Sequence, residues 1–198
     1  ESNTTYEAAG YTGQGIVLEA TALGLATCWI AMFRKQDTTM LLELEAGESV
    51  LAVIPVGHAV ESKTFAEKIM TGMVRSHQRL PIEKLVTGEL PADNHGWHYK
   101  AIEAARLAPS AMNRQPWSFS CGDESLTVAV RSEGREATVP KRLDCGIAMQ
   151  NLCLAAHAEG LGTVIVGLFD AAKAAKVLQV PPDRAVVAMT PLGFAETT

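Results

Sequence analysis

An internal repeat is the feature that most constrains how this chain of 198 residues can fold. Residues 10–59 align with residues 146–195 without a gap, at a constant offset of 136, and 15 of the 50 aligned pairs are identical. The identical pairs include Gly10 with Gly146, Gln14 with Gln150, Gly24-Leu25 with Gly160-Leu161, Pro55 with Pro191 and Gly57 with Gly193. Self-similarity in one fixed register is the signature of a repeated structural unit. We therefore expect two related halves that share a core.

Each copy of the repeat has the pattern of a helix, a short strand, a second, shorter helix and a closing strand. Apolar residues at spacings of three and four predict helices at 12–23 and 147–159, each of which a glycine would end. Short β-branched runs follow at 27–30 and 163–166, then second short helices at 37–43 and 170–178, and closing strands at 49–57 and 184–195 complete the copies. Between the copies, the sequence predicts a helix at 99–108 and strands at 117–121 and 126–130.

Composition excludes several classes of protein. Hydrophobic residues make up 47% of the chain and charged residues 20%, with a net charge of -5, which rules out a disordered chain and gives no basic cluster for nucleic acid. The most apolar window, residues 16–33, contains Glu19 and predicts a buried helix and strand, so no membrane partner is expected. Four cysteines without a C-x-x-C pair predict buried thiols in a reducing, cytoplasmic setting.

The familiar catalytic and metal-binding motifs are absent from the sequence. It has no G-x-S-x-G, P-loop or H-E-x-x-H pattern. His95 and His98 are three residues apart, but a zinc site needs three or four ligands, so a solvated loop is the better interpretation. Cys28 lies in an apolar run and is interpreted as an inert core thiol. We therefore expect no catalytic side chain and no metal ligand.

The segment from Pro109 to Trp117 is the strongest candidate for a binding loop. It follows a predicted helix and precedes a predicted strand, and its two prolines stiffen it. Ser110, Asn113 and Gln115 offer a hydroxyl and two amides without charge. Such groups suit the edge of a flat heterocycle, although a turn that caps the preceding helix would use the same residue types.

The same segment resembles a signature of the nitroreductase family of FMN-binding flavoproteins. Residues 109–117, Pro-Ser-Ala-Met-Asn-Arg-Gln-Pro-Trp, are similar to the family's P-S-x-x-N-x-Q-P-W loop. Residues 160–163, Gly-Leu-Gly-Thr, with Phe169-Asp170 and the closing Pro191-Leu192-Gly193, resemble further family signatures. The first copy also resembles the family, which is typical of the tandem subgroup, a family homodimer fused into one polypeptide.

The resemblance implies an FMN site between the two halves, with NAD(P)H as co-substrate. One half would supply the loop residues Pro109, Ser110, Ala111 and Asn113, and the other half the strand residues Trp29, Ile30, Ala31 and Met32. Arg79, which precedes Leu80-Pro81 as a basic residue does in the family, would contact the phosphate. No acid or base is needed, because in flavoenzymes the cofactor performs the chemistry.

The resemblance also implies the architecture. We expect a nitroreductase-like α+β fold, with a mixed, mainly antiparallel sheet flanked by helices, in a single domain of residues 1–198. Residues 1–80 would form a first half whose front part is missing, and residues 81–198 a second half. The two would form an intramolecular pseudo-dimer, so the protein would be a monomer or a homodimer.

Three departures from the family bear on function. The family's Arg-Arg-Ser-x-Arg segment is absent, Ala31-Met32 replaces Glu-Gly, and the first half has no P-S-x-x-N loop, so at most one flavin site is expected. The leading hypothesis is an FMN-dependent NAD(P)H oxidoreductase that reduces nitroaromatics, quinones or similar flat acceptors by two-electron hydride transfer. A non-catalytic flavin- or ligand-binding protein and a purely structural two-repeat domain stay open as alternatives.

Overall fold

The structure is a computed structural model. It describes residues 5–30, 33–34, 38, 41–59, 75, 77–89, 93, 95–122, 125–131 and 138–194. Within these residues the α-helices are α1 (Thr5–Ala22), α2 (Trp97–Arg106), α3 (Val139–Ala158) and α4 (Ala171–Val177). The strands are β1 (Ala26–Thr27), β2 (Val56–Gly57), β3 (Trp117–Gly122), β4 (Ser125–Arg131), β5 (Leu161–Thr163) and β6 (Arg184–Phe194).

A four-stranded antiparallel sheet and the helices α2 and α3 enclose the core. The strand order is β3-β4-β6-β5, and β4 pairs with both β3 and β6, with an irregularity between Val128 and Ala129. Buried apolar residues on β4, such as Leu126, Val128 and Val130, meet buried residues of α3 such as Met149 and Leu152. The expected α+β fold with a mainly antiparallel sheet flanked by helices is therefore confirmed.

The first copy contributes the second, two-stranded sheet. Its strands are shorter than the sequence predicts, because within 49–57 only residues 56–57 form a strand and Val53 a single bridge to Ile30. The predicted helix at 12–23 begins earlier, at Thr5. Glycine ends the helical units as expected, since Gly24 and Gly160 follow α1 and α3 with φ of 75° and 84°, the left-handed conformation that glycine adopts without strain.

The helices α1 and α3 approach each other backbone to backbone at two glycines. A Cβ atom on Gly10 would lie 2.2 Å from the carbonyl oxygen of Leu143, and one on Gly146 would lie 2.0 Å from that of Glu7. Residues 10 and 146 differ by 136, and so do residues 7 and 143. The contact is thus reciprocal, as in the isologous interface of a two-fold dimer, and only glycine permits it.

The strand pairing repeats with the same offset. Ala26 pairs with Gly57 in the first copy, and Gly162 pairs with Gly193 in the second. The isolated bridge between Ile30 and Val53 likewise has its counterpart in the bridge between Val166 and Met189. The two related halves therefore form an intramolecular pseudo-dimer, with α1 and α3 at its centre.

Candidate functional site

A cavity of about 430 Å³ lies where the two copies meet the loop before β3. The first copy contributes Thr27, Cys28 and Trp29, and the loop contributes Pro109, Ser110, Ala111 and Met112. Its wall on α3 includes Leu143, Asp144 and Ile147. Four residues that the sequence singled out for one site, Trp29, Pro109, Ser110 and Ala111, thus line a single cavity.

The loop before β3 has an unusual backbone. Met112 and Asn113 both have a φ of 52°, and Gln115 has a φ of 47°. Residues other than glycine seldom adopt this left-handed backbone conformation. Each residue that does so carries a strain of about 1–3 kcal/mol unless its surroundings compensate it. A hydrogen bond from the Gln115 amide to Ser110 Oγ, 2.9 Å long, closes the loop on itself. Strain of this kind concentrates at functional sites.

Asn113 does not line the cavity but ties the loop to the segment before α2. Its Nδ2 atom donates to the carbonyl oxygens of Arg75 and Gln78, at 2.8 Å and 2.9 Å. Gln115 acts in the same way, since its Oε1 accepts from the Leu80 amide at 2.8 Å. The side-chain amides of Asn113 and Gln115 therefore both hold the loop in place.

Arg79 lies beside Asn113, outside the cavity lining. Its Nη1 is 3.3 Å from Asn113 Oδ1, and its Nη2 is 3.2 Å from the carbonyl oxygen of Leu107. Partial burial, and to a lesser extent the nearby Arg106, lowers the pKa of the Arg79 guanidinium. Arg79 therefore presents its guanidinium group beside Asn113, outside the cavity lining.

Trp29 is positioned by a chain of hydrogen bonds that crosses from α1 to α3. Trp29 Nε1 donates to Gln14 Oε1 at 3.4 Å, and Gln14 Nε2 donates to Asn151 Oδ1 at 3.1 Å. The indole also packs against Gly13, where a Cβ atom would lie 2.3 Å from Trp29 Cη2. Ile30, the next residue, is 37% exposed and forms the bridge to Val53. Ala31 and Met32 lie outside the described residues.

Asp144 is a feature of the cavity that sequence reasoning missed. Its side chain is 4% exposed, and its two carboxylate oxygens lie 3.0 Å and 3.1 Å from the amide nitrogen of Ala111. Burial raises the pKa of Asp144 to about 7, against the opposing effects of the Ala111 amide and Arg114. Asp144 follows Lys141 and Arg142 near the start of α3, so the sequence around it gave no signal that its carboxyl group would be buried.

Cys28 was wrongly predicted to be a core thiol. It is exposed and lines the cavity, whereas Cys145 and Cys153 are buried and Cys121 is half-buried. The reason is that β1 is short and lies at the surface of the small sheet, so the apolar run around Cys28 forms a cavity wall.

A second cavity, of about 340 Å³, is related to the first by the repeat. It is lined by Tyr11, Ile165 and Leu168 among others, and these correspond to Ile147, Trp29 and Met32 under the offset of 136. Ala8 takes the position that Asp144 has in the first cavity. No described residue in its lining belongs to a loop like that at 109–115. The two cavities therefore differ in the groups they present.

Two family models match the chain. The model described as "Putative TM nitroreductase" matches residues 1–140, and the model described as "Nitroreductase family" matches residues 123–194. A curated relative from Archaeoglobus fulgidus, named "Putative NADH dehydrogenase/NAD(P)H nitroreductase", is 28% identical over an alignment of 122 positions that covers 48% of this chain and 70% of the relative.

Solved structures share the fold across nearly the whole chain. A putative nitroreductase from Thermotoga maritima matches with a TM-score of 0.57 and 23% identity, over 92% of this chain and 62% of that one. A putative nitroreductase from Anabaena variabilis matches with a TM-score of 0.65 and 12% identity, over 98% of this chain and 65% of that one. The chain thus spans less than two thirds of the length of either structure.

The described residues include neither a membrane-spanning helix nor a cluster of metal ligands. No described helix combines the length and the hydropathy that crossing a membrane requires. Within the same residues, no three His, Cys, Asp or Glu side chains come together as metal ligands would.

Proposed function

The chain belongs to the nitroreductase family, in the group described as "Putative TM nitroreductase", and we propose from this premise that it binds FMN in the cavity beside Trp29 and oxidises NAD(P)H. The observation that carries the proposal is that this cavity is built from both copies of the repeat at once. Trp29 comes from the first copy and Ile147 from the second, while Ser110 lies on the loop that precedes β3. The family resemblance implies such a shared site.

The chemistry of the lining suits a flavin ring. Val17, Trp29 and Ile147 provide apolar surface, and Ser110 and the loop backbone provide uncharged polar groups at its edge. Sites for small molecules are commonly mostly apolar cavities of about 300–1,000 Å³ with a few placed polar groups. The cavity falls within that range.

Different residues would bind different parts of FMN. Pro109, Ser110 and Ala111 would bind one edge of the ring, and the backbone of Trp29, Ile30, Ala31 and Met32 the other. Asn113 would act by fixing the loop, because its amide is bonded to residues 75 and 78. Arg79 would attract the phosphate at the outer side of the loop, where its positive charge is held next to Asn113.

FMN, when bound, supplies the two-electron hydride chemistry that passes reducing equivalents from NAD(P)H to nitroaromatics, quinones or similar flat acceptors. The protein's part is to orient these partners and to exclude water. Apolar walls such as Ile147 and Leu143 would help to exclude water from a bound ring, which would strengthen the polar contacts to it.

We propose that both sides of the site come from one chain. The interface that a family dimer would form between two subunits is internal here, between α1 and α3, so we propose a monomer as the functional unit, with a homodimer as the alternative. The described cysteines are all free, which favours a reducing compartment such as the cytoplasm.

A titration with FMN, followed by anaerobic mixing with NADH and then NADPH, tests the function. We expect saturable quenching of FMN fluorescence and bleaching of the bound flavin by at least one nicotinamide. A protein that takes up no FMN would contradict the proposal. Reoxidation by a quinone or a nitroaromatic would then identify the class of acceptor.

A non-catalytic flavin-binding protein is the second candidate. Two observations favour it: Asn113 and Arg79 are already bonded to each other, and Ala31-Met32 stands where many family members have Glu-Gly. Bound flavin that neither nicotinamide bleaches would support this candidate over the oxidoreductase.

A further inference from the structure

Asp144 is a buried carboxyl group in the cavity wall for which the family signatures give no role. It lies on α3 between Leu143 and Cys145 and is 4% exposed. Burial of a carboxylate is unfavourable unless hydrogen bonds or opposite charges compensate it. The contacts of Asp144 therefore indicate what the group does.

Those contacts are with the strained loop. Both carboxylate oxygens lie within hydrogen-bonding distance of the Ala111 amide, at 3.0 Å and 3.1 Å. Ala111 lines the cavity and directly precedes Met112 and Asn113, both in the left-handed region. Asn113 ties the far end of the loop to residues 75 and 78. Asp144 thus anchors the end of the loop that faces the cavity.

We propose that Asp144 is a positioning residue, whose carboxylate holds the Ala111 amide and thereby keeps the loop of residues 109–115 in the conformation that receives the cofactor. The proposal rests on the proposed function of the cavity as a flavin site. Asp144 acts through the loop, because its oxygens face the Ala111 amide and almost none of its surface is accessible.

The anchor responds to pH in a predictable direction. Burial raises the pKa of Asp144 to about 7, and a carboxylate accepts a stronger hydrogen bond than the neutral acid does. Lowering the pH from 8 to 6 should therefore loosen the loop. Other charged or titratable groups around Asp144 are Arg114 in the loop, Cys28 across the cavity, Cys145 on α3 and, beyond Cys145, the ion pair of Glu7 with Arg142.

Flavin affinity of the full chain gives the first test. Dissociation constants of FMN and riboflavin are measured at pH 8 and pH 6 for the wild type, Asp144→Asn and Asp144→Ala. The phosphate of FMN titrates in the same pH range as Asp144. Riboflavin lacks this phosphate, so a pH effect on its binding can be assigned to the protein. We expect wild-type affinity for riboflavin to fall about fivefold at pH 6, Asp144→Asn to lack this change, and Asp144→Ala to bind about tenfold more weakly at pH 8.

Asp170 provides a matched control. Its Oδ1 accepts a hydrogen bond of 2.9 Å from the Lys173 amide at the start of α4, and it does not line the cavity. Asp170→Ala should keep the wild-type affinity and pH dependence. An equal loss in Asp170→Ala and Asp144→Ala would overturn the proposal, because the effect would then be one of general stability.

Amide hydrogen exchange of the cofactor-free protein gives a second test that needs no flavin. The Ala111 amide should be protected in the wild type and in Asp144→Asn, and should exchange about tenfold faster in Asp144→Ala.

If the wild type binds no flavin, the proposed function fails while this measurement still decides the role of Asp144. Unchanged exchange in Asp144→Ala overturns the positioning role. Should that variant not fold, slower wild-type exchange at pH 8 than at pH 6, corrected for intrinsic rates, supports the role, and its absence refutes it.

Discussion

Gln14 and Gln150 occupy equivalent positions in the repeat, yet only Gln14 has a hydrogen-bond partner for its Oε1 atom. Gln14 Oε1 accepts from Trp29 Nε1, whereas Gln150 Oε1 is buried without a partner. The position equivalent to Trp29 is Ile165, whose side chain has no hydrogen-bond donor. The position equivalent to Asn151, the second partner of Gln14, is Gly15. The repeat has therefore kept the glutamine at both positions and the polar network at only one, beside the proposed flavin cavity.

This difference predicts opposite effects of the same substitution. Gln150→Leu removes an unpaired buried carbonyl and should raise the free energy of unfolding by about 1 kcal/mol. Gln14→Leu leaves Trp29 Nε1 and Asn151 Oδ1 unpaired and should lower it by about 1–3 kcal/mol. Urea denaturation of both variants checks the prediction, and equal effects of the two substitutions would contradict it.

Alanine substitutions at two glycines of α1, Gly13 and Gly15, distinguish the effect of packing against Trp29 from the effect of helix propensity. Gly13→Ala places a Cβ atom 2.3 Å from Trp29 Cη2, so the indole must move, and we expect a loss of stability of about 1–3 kcal/mol and weaker FMN binding. Gly15→Ala meets only Gln150 Nε2 at 3.4 Å and should gain about 0.5–1 kcal/mol. Thermal unfolding and FMN titration of both variants test this, and normal FMN binding by Gly13→Ala would show that Trp29 does not shape the cavity.

The sequence allowed the architecture to be predicted because the repeat is a property of residue order. Gly10 and Gly146 align without a gap, and the structure shows why glycine recurs there, since each meets the backbone of the other helix. Strand pairing at β1 and β5 follows the same register. Most of the fold could therefore be predicted from the hydrophobic periodicity and from the positions of the glycines.

The details of the site depend on contacts between distant segments, which residue order does not reveal. The motif marks Asn113, but only the structure shows that its amide is bonded to the carbonyl oxygens of Arg75 and Gln78. Asp144 is 33 residues from Ala111 along the chain, and Cys28 lies in an apolar run that turns out to be exposed. Each depends on how elements pack, and no local pattern encodes it.

Asp144 should make the stability of the protein fall as the pH rises. Its pKa is raised from 3.8 to about 7 in the folded state, so between these values the native chain holds a proton that the unfolded chain has lost. The stabilising contribution of Asp144 is therefore greatest below about pH 4 and is lost as the pH rises to 7. Over this interval the free energy of unfolding falls with a limiting slope of about 1.4 kcal/mol per pH unit. Urea denaturation from pH 4.5 to 7.5 of the wild type and Asp144→Asn checks this, since the variant lacks the titrating group.

The control for this pH dependence is Asp170→Asn, which removes a carboxylate at the start of α4 and keeps a side chain able to cap the helix. Its stability should follow the wild-type curve. Parallel curves for the wild type and Asp144→Asn would show that Asp144 does not titrate in this range.

Cys28 offers a direct test of where a flavin binds. It is the exposed thiol among the described cysteines and lines the cavity with Trp29, while burial raises the pKa of Cys121, Cys145 and Cys153 and so lowers their thiolate content. We expect a small thiol reagent to modify Cys28 first, and saturating FMN to slow this by about tenfold or more, because the ring would cover the sulfur. Mass spectrometry of the labelled peptides gives the rate at each cysteine, with Cys28→Ser and the rate at Cys121 as controls. Binding of FMN that leaves the Cys28 rate unchanged would place the flavin elsewhere in the molecule.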